Sequence, residues 1–359
     1  MKAALAHWTL AVPVASALLL GAALVLPQSA ALSLVCSAVL MAVVIAAVHH
    51  AEVVAHRVGE PFGTLVLALA VTVIEVALVV SMVLAGGEEK ATLARDSVYA
   101  AVMIICTGVV GVCVVAGSLR HREQSFRIEG AGGALAALVT LATLVLILPV
   151  FTTSAPGPRY SKAQLAFTAV ASLALWGVFV FVQTVRHRDY FLPPEAESDE
   201  NAHAEPPTLR QAWLSFLLLL VSLVAVVGLA KVLSPAIEAA VEAAGAPQAV
   251  IGVAIAALVL LPEATAAMRA ALANRLQTSM NLALGSALAC IGLTIPTVAL
   301  ASVWLDLPLV LGLVPKDLAL LTLAFVVSTI TLGTGRTHLM QGAVHLVIFA
   351  AFLFLTLVP

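Results

Sequence analysis

Two glutamates stand where a membrane protein keeps charge only for use. Glu75 interrupts VGEPFGTLVLALAVTVIEVALVVSMVLAGG (58–87), a run that is otherwise apolar from Phe62 to Ala85. Glu263 interrupts QAVIGVAIAALVLLPEATAAMRAALAN (248–274) about as deep. A carboxylate near the bilayer centre costs roughly 2.5–3.5 kcal/mol even on the translocon scale, so a functional load is the first reading of one found there. Glu75 lies 16 residues past Gly59 and Glu263 lies 15 past Gln248. Each is therefore about 22–24 Å along its helix at 1.5 Å per residue. Desolvation disfavours the charged form of a buried carboxyl, so such groups hold protons near neutral pH. One divalent ion or two protons neutralise two carboxylates equally. Competition of those two loads for one site is the physical basis of antiport.

The neighbours add oxygen atoms. Thr64, Ala68, Val71 and Thr72 share a helical face with Glu75, which sets hydroxyls beside the carboxylate unless the threonines bond back to their own helix. Pro262 precedes Glu263 and removes one N–H, which releases the Leu258 carbonyl; the outcome is either a cation ligand or a bare packing kink. Asn274 shares the face of Glu263 nearer the cytoplasm. Asp96 opens the next span, with Thr107 on its face; an interfacial N-cap and an ion pair with Arg95 compete with ion binding there. In SMNLALGSALACIGLTIP (279–296), Asn281, Gly285 and Gly292 share one face and Ser286 adjoins it. Small residues of this kind also serve plain close packing.

Carboxylates, hydroxyls, an amide and freed carbonyls suit a hard cation such as Ca²⁺, not a soft metal. The expected cation- or proton-binding set is Glu75, Glu263, Thr72, Leu258, Asn281, Ser286 and Asp96. Glu60 and His345 are candidates for an entry or proton path. Their competing roles are a helix N-terminal acid favoured by the dipole and a helix–helix hydrogen-bonder. Residue spacing supports a cation transporter with a two-glutamate site and leaves the ion open.

Membrane helices must hold these residues. The 359 residues are 62% hydrophobic and 10% charged, which excludes a soluble domain. Eleven apolar runs have spanning length: 8–26, 30–48, 61–85, 97–119, 132–151, 163–185, 211–232, 248–272, 279–303, 308–331 and 338–357. They are solid rather than alternating, so helices are expected and not a barrel. The four cysteines, Cys36, Cys106, Cys113 and Cys290, fall inside runs and imply no disulfide framework. A net charge of −2 gives no sign of a nucleic-acid partner; the bilayer is the expected partner. The first run, with Lys2 before it and small residues after Pro27, also resembles a signal peptide; it is read as a retained span.

Lys and Arg number eleven on the side of the N-terminus and six on the other, which puts the N-terminus in the cytoplasm and the C-terminus in the periplasm. The polar stretch 186–210, rich in proline and acids, reads as a cytoplasmic linker. It divides a first five-helix repeat (30–185) from a second (211–359), after one extra helix in 1–29. Five is odd, so corresponding helices cross in opposite senses: an inverted repeat, with its site expected near the midplane where the halves meet. The expected fold class is an all-α polytopic membrane protein of about eleven spans.

VGEPFGTLVLALAVTVIE and LLPEATAAMRAALANRLQTSMNLALGSALACIGLTIP resemble the two repeat motifs of the ChaA-type cation/proton antiporters, in the calcium/proton exchanger branch of the calcium/cation antiporter superfamily. The resemblance covers both halves. It implies that Glu75 and Glu263 bind the transported ion and take turns with protons. The commoner exchanger motif has Gly-Asn four and three residues before the glutamate; here those positions are Val71-Thr72 and Val259-Leu260, so two amide oxygens are missing. The resemblance also implies a cation-sensing role for the acidic linker residues Glu195, Glu197, Asp199 and Glu200, against the alternative of a plain solvated linker.

The expected function is secondary transport of cytoplasmic Ca²⁺ against protons, with Na⁺ or K⁺ exchange as the alternative, in a bacterial inner membrane. The ions are cargo, and no resident cofactor is expected. A distant rival is an intramembrane metalloprotease, because HHAEVVAH puts His49, Glu52 and His56 on one helical face. The zinc patterns need H-E-x-x-H or H-x-x-E-H, and this segment offers neither.

Overall fold

The structure, a computed structural model, describes residues 2–27, 29–59, 70, 72–80, 83, 91–192, 207–245, 247–305 and 309–359. Ten spans are assigned within them. They are α1 (Lys2–Val25), α2 (Ala30–Val58), α3 (Leu93–His121), α4 (Ile128–Val150), α5 (Lys162–Arg186), α6 (Leu209–Ala243), α7 (Ala249–Leu272), α8 (Leu276–Leu305), α9 (Pro315–Leu332) and α10 (Leu339–Leu357). The chain is an all-α polytopic membrane protein. Of the expected span 61–85, the described part includes a helical stretch at 72–80.

Helix ends follow local chemistry. Ser29 caps α2 by accepting from Leu32 N, and α2 stops where Gly59 takes a positive φ of 78°. Ser161 and Gln164 close a capping box on α5. Pro315 opens α9 at a position where its missing N–H costs nothing.

The helices form two compact units that interleave in sequence. The first takes residues 1–90 and 201–246, the second 91–200 and 247–359. In the first unit α2 and α1 both pack along α6. His50 of α2 is buried and pins all three helices together. Its Nε2–H donates to the Thr9 carbonyl at 2.9 Å, and its Nδ1 accepts from the Ser215 hydroxyl at 3.2 Å.

The second unit shows the inversion directly. At one end, β1 (Glu123–Ser125) pairs antiparallel with β2 (Arg336–His338), so the α3–α4 and α9–α10 turns lie together. At the opposite end, Val310 N donates to Ala91 O, Gly312 N to Pro158 O, and Leu313 N to Leu146 O. The start of α3, the α4–α5 loop and the α8–α9 loop therefore share that end. So α3 and α8, α4 and α9, and α5 and α10 each run in opposite senses, as an inverted repeat requires. Arg120, Arg122, Arg127, Arg275 and Arg336 gather at the first end, with the β-ribbon.

Both α3 and α8 contain a π-helical turn, at Ile104–Val109 and Cys290–Thr294. Such turns insert one residue and often mark functional sites.

Candidate cation-binding site

The two glutamates belong to different units. In the first unit, Glu75 is 3% exposed and Thr72 one turn before it is 6% exposed, so a carboxylate and a hydroxyl are both withdrawn from solvent on one face. Thr64, Ala68, Val71 and Glu60 lie outside the described residues. So do Glu195, Glu197, Asp199 and Glu200 of the linker.

In the second unit, Glu263 sits at a bend. The segments Ala249–Leu261 and Glu263–Leu272 meet at 52°. The bend falls at Pro262, which has no N–H for the Leu258 carbonyl. Glu263 is half-buried, with Oε2 fully enclosed, and Leu258 is half-buried. The bend expected from sequence is therefore present, with the carbonyl it frees one turn before the carboxylate.

Contacts at both ends fix α3 against α7. Gly252 of α7 lies on the Asp96–Ser97 backbone of α3, and His121 at the end of α3 donates from Nε2 to the Leu272 carbonyl at 2.9 Å. The two helices thus run parallel. Residue 262 is halfway between 252 and 272, and halfway between 96 and 121 falls at the end of the π turn. The π turn of α3 packs on α7 at the level of the Pro262–Glu263 bend. Thr107, inside that turn, is fully buried and donates its hydroxyl to the Met103 carbonyl, a bond within its own helix.

Asp96 and Asn281 are engaged elsewhere. Asp96 is in an ion pair: Arg95 Nε donates to Oδ1 at 2.8 Å, Nη2 lies 2.7 Å from Oδ1, and the Thr92 hydroxyl donates to Oδ2 at 3.0 Å. Arg95 also donates through Nη1 to the Gly312 carbonyl at 3.1 Å. Both carboxylate oxygens of Asp96 serve the entrance of α3, the alternative that its neighbour Arg95 suggested. Asn281 lies only five residues into α8. Its Oδ1 accepts from Gln277 Nε2 at 2.8 Å, and its Nδ2 donates to the Phe191 carbonyl at 2.5 Å. Its amide joins α8 to the root of the linker. Ser286, half-buried on α8, is not among these fixed groups. Asn274 is beyond the end of α7, in the left-handed conformation at φ 60°, where its Oδ1 accepts from Gln124 Nε2 at 3.0 Å.

His345 is fully buried between three helices. The Cys106 carbonyl, 2.7 Å from Nδ1, can only accept, so Nδ1 carries the hydrogen. Nε2 then accepts from the Thr331 hydroxyl at 3.1 Å. In this structure His345 is a helix–helix hydrogen-bonder.

Sequence reasoning missed a polar latch at the β-ribbon end. Gln124 Nε2 donates to the Ala271 carbonyl at 2.8 Å, and Gln277 Oε1 accepts from Arg127 N at 2.6 Å. Gln124 and His121 meet the last carbonyls of the helix that bears Glu263, while Gln277 ties the start of α8 to the start of α4. Their signal is weak in sequence because each is a single polar residue at or near the end of an element.

The metalloprotease pattern does not assemble. His49, Glu52 and His56 are all exposed, and among the described residues no group of three His, Cys, Asp or Glu is placed to hold a metal ion. The four cysteines are buried and unpaired by disulfides.

Inverted membrane spans, the buried Glu75 and the enclosed Glu263 Oε2 at a helix bend fit a secondary transporter. Comparison with known proteins gives the family: the model described as "Sodium/calcium exchanger protein" matches residues 28–185 and 214–358, and the chain belongs to that family. It is 52% identical to "Putative ionic transporter y4hA" of Sinorhizobium fredii over 93% of this chain and 91% of that protein. It is 34% identical to the "Sodium-potassium/proton antiporter ChaA" of Escherichia coli over 93% of this chain and 90% of that one. Among solved structures, native YfkE superposes with a TM-score of 0.73 at 17% identity, covering 98% of this chain and 100% of that one. A second structure of that protein is titled a Ca²⁺/H⁺ antiporter.

Proposed function

We propose that the chain exchanges cytoplasmic Ca²⁺ for protons by alternating access, with Glu75 and Glu263 taking cation and protons in turn. The observation that carries this reading is the burial of Glu75 together with the enclosure of Glu263 Oε2 at a helix bend next to Pro262. Two carboxylates match the charge of one divalent ion, and the titled activity of YfkE agrees. In this reading the protein lies in the bacterial cytoplasmic membrane with its N-terminus inside.

A second reading exchanges Na⁺ or K⁺ for protons at the same glutamates. Two observations favour it. Asn281 and Asp96 are bound to protein groups, which removes an amide and a carboxylate from the expected ligand set, and the E. coli relative is named a sodium-potassium/proton antiporter.

A proton-flux assay in liposomes separates them. The lumen is acidified, an internal pH dye is followed, and Ca²⁺, Na⁺ and K⁺ are added outside one at a time. Alkalinisation by micromolar Ca²⁺, with monovalent ions acting only at tens of millimolar, is the expected result. Response to monovalent ions alone gives the second reading. No response from folded protein overturns both.

A further inference from the structure

The π turns of α3 and α8 occupy matching places in the repeats. Each holds Cys-x-Gly: Cys106-Thr107-Gly108 in α3 and Cys290-Ile291-Gly292 in α8. Each glycine is met by an aromatic side chain from the last helix of the opposite repeat. The Phe349 ring is 3.1 Å from where a Gly108 β-carbon would stand, and Trp176 Cβ is 2.6 Å from that of Gly292. One turn before each aromatic residue is a fully buried polar one, His345 before Phe349 and Ser172 before Trp176.

There the correspondence ends. The Val110 amide, which in an α-helix would take the Cys106 carbonyl, reaches back five residues to Ile105. His345 Nδ1–H supplies the donor that the Cys106 carbonyl has lost. Ser172 Oγ, at the matching place, meets no protein partner. The close crossing that brings His345 in is built from glycine: a Gly342 β-carbon would stand 2.8 Å from Val115 N and 3.0 Å from Gly111 O, and one on Gly111 would stand 3.0 Å from His345 Cβ.

We propose that His345 is a positioning residue for the Glu263 site: by occupying the Cys106 carbonyl it locks the π turn that lies level with the Pro262–Glu263 bend. The inference rests on reading Glu263 as an exchange ligand. Its physical content is register. A π turn can slide along a helix by handing its unpaired carbonyl to the next residue, and a donor fixed from another helix stops that handover. Thr331, on α9, orients the imidazole by donating to Nε2.

Two substitutions separate position from chemistry. In His345→Asn the amide N–H stands near the place of Nδ1; in His345→Gln it moves to the place of Nε2. Neither titrates. The Asn variant is expected to keep the wild-type apparent affinity for the cation and the wild-type pH profile of proton flux in liposomes. The Gln variant is expected to lose roughly tenfold in apparent affinity, the effect of one lost hydrogen bond. Hydrogen exchange over 104–110 reads the lock without transport: faster in Gln, unchanged in Asn. Equal loss in both variants with a shifted pH profile would make His345 a proton carrier and overturn the proposal. Exchange in the Gln variant matching the wild type would overturn it too, whatever the flux. If wild-type and Glu263→Gln proteins show the same flux, the reading of Glu263 itself fails, and the hydrogen-exchange result still decides the lock.

Discussion

Gly252 touches the backbone at Asp96: a β-carbon on it would stand 2.9 Å from the Asp96 carbonyl carbon and from Ser97 N. The helix that bears Glu263 and the helix that carries the π turn are thus in main-chain contact near their starts. Backbone cannot swing aside as a side-chain tip does, so the crossing has to open. Gly252→Ala is expected to destabilise by about 1–3 kcal/mol, the usual cost of overpacking. Gly285→Ala is the control, because a β-carbon there meets nothing within 4 Å and alanine is the better helix former. Thermal melts in detergent check the pair. A Gly252→Ala melt equal to that of Gly285→Ala would show that the two helices do not approach this closely.

Glu75→Gln and Glu263→Gln are each expected to abolish proton-coupled exchange while the protein remains folded. Glutamine keeps the shape and one oxygen but can neither take a proton nor carry charge. Flux in liposomes, read beside size-exclusion profiles, is the check. A variant that keeps near-normal flux removes its glutamate from the mechanism.

Pro262→Ala restores the N–H for Leu258 and removes the ring clash, a change of about 3 kcal/mol in favour of a straight helix. The expected outcome is a melt equal to or higher than the wild type together with slower exchange, because a straight α7 no longer offers a free carbonyl beside Glu263 and no longer follows α3 at the 52° bend. Wild-type flux from a straightened helix would make the bend a packing feature alone.

The proline bend, the spans and the inversion were legible because each rests on a rule local in sequence: length against bilayer thickness, a missing N–H, an odd number of crossings. The fates of Asp96 and Asn281 were not. Asp96 pairs with its own neighbour Arg95, and what holds that pair in place is the Gly312 carbonyl more than two hundred residues away. Asn281 is claimed by Phe191, a carbonyl that any residue would supply. The π turns were invisible for the same reason. Nothing in Cys-x-Gly predicts one, and the group that meets the Cys106 carbonyl is His345, 239 residues further along the chain. Face and depth can be read from spacing, whereas hydrogen-bond competition between distant segments cannot.

Asn281 therefore tests the difference between a ligand and a tie. If its amide binds the transported cation, Asn281→Ala costs affinity. If it joins α8 to the linker root, the same change leaves the Phe191 carbonyl and Gln277 Nε2 without their partner and costs stability, about 1–3 kcal/mol for a buried group left unmet. The structure favours the tie, because both ends of the amide are taken and the residue lies within the first two turns of α8, beside the loop end of the bundle. The expected result is a lower melting temperature with the apparent cation affinity within about twofold of wild type, as for a site outside the binding shell. Asn281→Asp sharpens the test, since a carboxylate in the binding shell would tighten Ca²⁺, while at the tie it loses the donor to Phe191 and only weakens the fold. A tighter Ca²⁺ response in the Asp variant would return Asn281 to the ligand set.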